Sequence, residues 1–340
     1  MFFSGRAPER RITGELPHIT IQCPVYKESL AGVIDPTVQS LKVAISTYEL
    51  QGGTASIFMN DDGMQLLDPE MAELRQRYYR NHNIGWVARP PHKKDGFIRA
   101  GRFKKASNMN FAMNLAYQIE ERLSQVERHE GWTDDDEENA YQEVLEVVVK
   151  EDGRAWAAGD IRIGELILIV DSDTRVPEDC LLDAATEFHE SPDVAVLQHK
   201  SGVMQVVHNY WENGITYFTN LIYCSITYAV AGGDTGPFVG YAVVVLSGGL
   251  TCSHNAFIRW SALQEMLWIE NGQKKWWSES HVSEDFEMSL KLQNAGWRIR
   301  YATYCGNGFQ EGVSLTIYDE LARWEKYSYG CVSLPPPAKD

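Results

Sequence analysis

Leu166-Ile167-Leu168-Ile169-Val170-Asp171-Ser172-Asp173 is a short apolar run that ends abruptly in two carboxylates, two residues apart. A run of this length reads as a buried strand, and ligands of open α/β sheets gather at the carboxyl ends of their strands. A divalent ion takes hard oxygen ligands and keeps waters and substrate phosphates as its other partners. Asp171 and Asp173 are therefore the metal candidates. Asp134-Asp135-Asp136 repeats the spacing in a polar run with no strand before it, and reads as a decoy.

Outward from this run the chain alternates between two periodicities. Residues 19–23, 55–59, 84–88, 166–170 and 194–197 read as strands, the second ending at Asp61-Asp62-Gly63 and the third stopped by Pro90-Pro91. Asp35-Pro36 supplies a cap and a first-turn proline for a helix through Val38, Leu41, Ile45 and Tyr48. Ala112, Ala116, Ile119, Leu123 and Val126 step by three and four along one buried helix face, and Pro177 is expected to open another helix. Strands alternating with helices imply an α/β fold with a mainly parallel, doubly wound sheet. Residues 130–159, acidic and punctuated by Gly and Trp, interrupt the rhythm and read as a partly mobile surface insertion.

At 340 residues the chain holds one large domain or two ordinary ones. Its formal charge of −16 argues against a nucleic-acid partner, which would need a basic face. Between Arg89 and Lys105 the sign reverses, as a solvated loop or as a phosphate-attracting rim. The six cysteines show no CxxC spacing, so neither a zinc site nor a disulfide framework is suggested. Reduced, cytosolic surroundings are the default expectation. No apolar stretch reaches the length of a membrane span, so the chain by itself is expected to be soluble.

Four further motifs surround the strand-end aspartates, in a definite order. They are Pro24-Val25-Tyr26-Lys27-Glu28 with Asp61-Asp62-Gly63; Lys105-Ala106-Ser107-Asn108-Met109-Asn110; Ser283-Glu284-Asp285; and Arg323-Trp324. Together they resemble family 2 glycosyltransferases, enzymes of the GT-A (Rossmann-like) fold with a mainly parallel central sheet flanked by helices. The likeness is closest to the processive branch of cellulose, chitin and hyaluronan synthases, of fungal type, and covers residues 17–331. It implies a nucleotide-sugar half over 17–210 and an acceptor half over 211–331, with 1–16 an N-terminal extension and 332–340 a proline-rich tail.

The resemblance also implies roles. Pro24, Tyr26, Glu28 and Asp62 would line the nucleotide pocket of a UDP-sugar donor, while Lys105 would meet a phosphate or pair with an aspartate. Asp173 would bind Mn2+ or Mg2+ directly, with Asp171 nearer the ribose. Asp285, beside Glu284, would be the base that takes the acceptor's proton, giving single displacement with inversion. Arg323, Trp324, His254 and Asn255 would shape the site of a polysaccharide or other glycan acceptor. Membrane association would come through flanking segments absent from this chain, with the catalytic domain on the cytosolic side.

Two departures stand out. Glu320 occupies the glutamine position of the family's Gln-x-x-Arg-Trp motif. Residues 241–253 separate Gly240 from His254-Asn255-Ala256-Phe257, which family members join directly; they read either as a strand and turn or as translated non-coding sequence. Ser107 is expected to cap the helix that follows Lys105. Trp276-Trp277 admit both a core and an acceptor-channel reading. Two other functions stay open: a catalytically inactive relative that binds nucleotide or carbohydrate, and a nucleotidyltransferase.

Overall fold

The apolar runs become strands of one sheet in a computed structural model that describes residues 2–10, 12, 14–100, 105–221, 223, 254–280, 284–322 and 324–325. The strands are β1 (Phe3–Ser4), β2 (His18–Val25), β3 (Thr54–Asp61), β4 (Gly85–Ala88), β5 (Trp156–Ala158), β6 (Leu166–Ile169), β7 (Val194–His199), β8 (Ser201–Val203), β9 (Ala256–Arg259), β10 (Trp268–Glu270), β11 (Gln273–Lys275), β12 (Arg298–Ala302) and β13 (Phe309–Glu311). Between them lie α1 (Asp35–Glu49), α2 (Pro69–Asn81), α3 (Lys105–Leu123), α4 (Asp134–Asp152), α5 (Cys180–Glu190), α6 (Tyr210–Leu221), α7 (Trp260–Glu265) and α8 (Glu284–Asn294).

Nine strands form the central sheet in the order β1-β12-β7-β9-β6-β2-β3-β4-β5. Only β5 and β9 run against the others, so the sheet is mainly parallel. β2 pairs with β3 from His18↔Thr54 to Val25↔Asp61, and with β6 from Ile19↔Leu166 to Gln22↔Ile169. Because these strands are parallel, their carboxyl ends share one edge. Pro24, Asp61 and the Asp171–Asp173 turn emerge there together.

Helices cover both faces, which explains why the strand sequences are almost continuously apolar. Side chains alternate between the layers with period two. Leu166, Leu168 and Val170 pack with Val38, Leu41 and Leu181 on one face, whereas Ile167 and Ile169 meet Met109, Met113 and Trp277 on the other. Trp276 and Trp277 are buried in this second layer, so the core reading holds for both.

Several local expectations are corrected. Asp35 does not cap α1, because a wide turn over Leu30–Ile34 precedes it and Ser29 accepts the Gly32 N–H at 3.2 Å. Past Pro177, α5 begins only at Cys180. The acidic segment is regular structure rather than an irregular loop. Most of it is α4, started by a reciprocal capping box between Thr133 and Asp136 and ended by Gly153 at φ 69°. Tyr141, Leu145 and Val148 pack this helix against α3 residues Ala112, Leu115 and Ile119. Four of its acids, Asp134, Asp135, Asp136 and Glu137, stand in the first turn, at the positive end of the helix dipole. The chain then returns as β5, antiparallel on β4. Residues 3–4 of the expected extension pair with β12 at the far edge. Among the described residues no helix is long and apolar enough to cross a membrane.

Candidate functional site

The turn after β6 carries the candidate residues Asp171 and Asp173. Lys105, the first residue of α3, donates from Nζ to Asp171 Oδ1 at 2.7 Å. His254 reaches the same carboxylate from the other side, with Nδ1 3.3 Å from Asp171 Oδ2. Strand register brings it there: β9 pairs antiparallel with β6 so that Ala256 faces Ile169, and two residues further along, His254 falls opposite Asp171. Asn255 turns the chain at φ 57°, a conformation asparagine tolerates better than most residues, while its N–H donates to Ile169 O at 2.7 Å. Its Nδ2 donates to Ser201 Oγ at 2.6 Å. His254 and Asn255 are both buried.

The ring of His254 also bonds through Nε2 to Glu311 Oε2, and Tyr223 donates its hydroxyl to that oxygen at 3.3 Å. Glu311 was not singled out from sequence. It arrives through the parallel pairing of β13 with β8 and the Arg175–Gln310 bridge, neither of which leaves a short-range signal. That segment continues directly over Asp173: a side chain at Gly312 would come within 2.3 Å of Asp173 Oδ2. Burial, then the neighbouring Asp171 carboxylate, raises the pKa of Asp173 above the usual carboxylate range, with His254 opposing.

Among the described residues no group of three or more His, Cys, Asp or Glu side chains is arranged as a metal cage. The donor chemistry nonetheless fits a divalent ion. Two adjacent hard carboxylates, one of them penalised for carrying its charge beside the other, suit a cation that completes its shell with substrate phosphate and water.

The nucleotide-side candidates sit on the neighbouring strand ends. Pro24 lies in β2 beside Asn60, Tyr26 is exposed, and Glu28 accepts the Tyr26 N–H at 2.6 Å. Asp62 is held by two buried arginines: Arg89 Nε at 2.6 Å and Nη2 at 2.9 Å, and Arg99 Nη1 at 3.0 Å. The basic stretch is thus, at these two positions, neither a solvated loop nor an open rim. Ser107 does not cap α3 but sits inside it, donating to Ala100 O at 2.7 Å and accepting from Arg89 at 2.7 Å. Asp61, to which the motif gave no role of its own, is fully buried against Arg75, the Tyr79 hydroxyl and the N–H groups of Gly63 and Met64.

Of the candidates expected on the acceptor side, Glu284 and Asp285 open α8, with Asp285 buried. Met288 and Leu292 turn the same helix into the core beside Trp276 and Trp277. Trp324 donates from Nε1 to Glu320 at 2.8 Å and lies against Phe218, ring centroids 5.7 Å apart. Ser283, Arg323 and residues 240–253 lie outside the described residues. Lys105, Asp171, Asp173 and His254 are therefore gathered with Glu311 at one strand end, while Asp62 belongs to a separate buried ion cluster.

None of the curated proteins matches the chain. Among solved structures it is similar to the mannosyltransferase PcManGT from Pyrobaculum calidifontis in complex with GDP-Man and Mn2+, at 13% identity over 97% of this chain and 68% of that one, TM-score 0.48. TarS 1-349 of S. aureus in complex with UDP-GlcNAc aligns at 13% identity over 88% and 59% of the two chains, TM-score 0.42. Mannosyl-3-phosphoglycerate synthase from Rubrobacter xylanophilus aligns at 11% identity over 93% and 72%, TM-score 0.44. The model of glycosyl transferase family group 2 matches residues 166–338, which begin at β6 and include Asp171, Asp173, Glu311 and α8. With just over half of its length so matched, the chain belongs to glycosyl transferase family group 2.

Proposed function

We propose that the chain is a divalent-metal-dependent, inverting glycosyltransferase of the processive branch, moving a sugar from a UDP-sugar to a growing β-linked polysaccharide or related glycan. The observation that carries this reading is the convergence of Lys105, Asp171 and Asp173 at the carboxyl end of β6, next to the β2 and β3 ends. Asp173 and Asp171 would hold the cation, which when bound neutralises charge on the departing diphosphate. Lys105 fixes the Asp171 carboxylate and adds a positive charge at the same place. Asp285 would accept the proton of the attacking acceptor hydroxyl as the anomeric carbon–oxygen bond to the diphosphate breaks, so an α-linked donor yields a β-linkage. Pro24, Tyr26, Glu28 and Asp62 are proposed on the nucleotide side; Arg323, Trp324, His254 and Asn255 on the acceptor side. A membrane-associated setting with a cytosolic catalytic face belongs to the same proposal, supported by the motif order of the processive branch.

The test is a panel of UDP- and GDP-sugars with Mn2+ or Mg2+, scored for nucleoside diphosphate release and for product. Cation-dependent UDP release is expected, with Asp285→Asn keeping donor binding but losing about 10²-fold or more in rate. Donor binding without release under every condition would instead identify an inactive binding protein. Pyrophosphate release would identify a nucleotidyltransferase.

A further inference from the structure

Asn110 closes the motif that begins at Lys105, yet its side chain faces away from the strand-end aspartates, toward residues 276–279. It is buried, and its side chain bonds at four points to one segment. Oδ1 accepts the backbone N–H groups of Trp276 at 3.1 Å and Trp277 at 3.0 Å. Nδ2 donates to Trp277 O at 2.7 Å and to Glu279 Oε1 at 2.9 Å. One turn further along α3, Asn114 does the same for Lys274, taking its N–H at 3.2 Å and donating to its carbonyl. Two amide side chains of a helix thus act as a short strand partner for residues 274–277.

The consequence reaches α8. Trp276 and Trp277, once seated, share a buried cluster with Met109 and Met113 of α3 and with Met288 and Leu292 of α8. Asp285 stands one turn before Met288 in that helix. The same α3 fixes Asp171 through Lys105 at its first residue. We propose that Asn110 is a positioning residue: by gripping Trp276 and Trp277 it sets where the first turn of α8, and with it Asp285, stands relative to the strand-end aspartates. This rests on the reading of Asp285 as the base. Its structural half, the coupling of Asn110 to α8, is separately measurable.

Hydrogen exchange on the full chain tests that half. In the native protein the amides of Trp276 and Trp277 and those of the first α8 turns should open as one cooperative unit, with the same denaturant dependence. Asn110→Asp keeps the shape and the acceptor but loses the donor and sets a carboxylate against Glu279. It should speed exchange in α8 by about tenfold, whereas Asn114→Asp should act on the β10–β11 hairpin alone. Independent opening of the two segments, or an Asn110→Asp effect confined to the hairpin, would overturn the proposal even if the variant folds poorly.

Turnover with the best donor of the panel tests the catalytic half. Asn110→Asp should lower kcat by about tenfold with donor Kd unchanged, and should add nothing in an Asp285→Asn background, as expected of groups acting as one unit. Parallel loss of donor affinity, or full additivity with Asp285→Asn, would reduce Asn110 to a purely structural residue. Undiminished turnover in Asp285→Asn alone would overturn the base assignment instead.

Discussion

His199 is a buried imidazole whose two ring nitrogens find no hydrogen-bond partner among the described residues; it is ringed by Phe257, Tyr304 and Phe309. Burial lowers its pKa from 6.5 to about 3. Between those values the unfolded chain binds a proton that the folded one refuses, so stability falls as pH drops through that window. The loss should reach roughly a few kcal/mol by pH 3. Denaturant midpoints compared between the native chain and His199→Phe should show the variant losing less stability on acidification. Equal slopes would mean that the imidazole is hydrated or paired. Asp61 and Arg75 pose the opposite case, a buried pair with bonds on every side. Arg75→Met should cost about 3–5 kcal/mol, because it strands a buried carboxylate. A loss below about 1 kcal/mol would mean that Asp61 is neutral in the fold, the direction in which burial pushes it.

At the scale of elements, α4 separates two kinds of aspartate. Thr133→Ala removes the cap and should cost about 1 kcal/mol, and Asp136→Ala should weaken the same capping box. Both should leave metal-dependent nucleotide binding untouched, as isothermal titration with UDP and Mn2+ would show. Altered binding would put function in a segment that reads here as scaffold. β2, β3, β4, β6 and β7 were legible because each is a local apolar run, whereas the short β5 was hidden in the acidic segment. β9 was not legible either: its residues drew notice as a motif, and their place between β6 and β7 comes from pairing across more than fifty residues of chain. The acidic helix is hidden for a different reason: its dense charge masks the three-and-four spacing of Tyr141, Leu145 and Val148.

At the scale of the molecule, seven parallel strands among the described residues place several sequence-distant loops on one edge, as open α/β sheets do. This is why Asp171, Asp173 and Lys105 could be named from local motifs, whereas Glu311 and Asn110 acquire their partners only in three dimensions. The central claim is that the β6 carboxylates hold a nucleotide diphosphate through a divalent cation. Titration of UDP into the native chain and Asp173→Ala, with and without saturating Mn2+, tests it most directly. Mn2+ should tighten UDP binding at least about tenfold in the native chain and leave it unchanged in Asp173→Ala, with thermal midpoints alike in the two proteins. The same Mn2+-dependent tightening in Asp173→Ala would contradict the account.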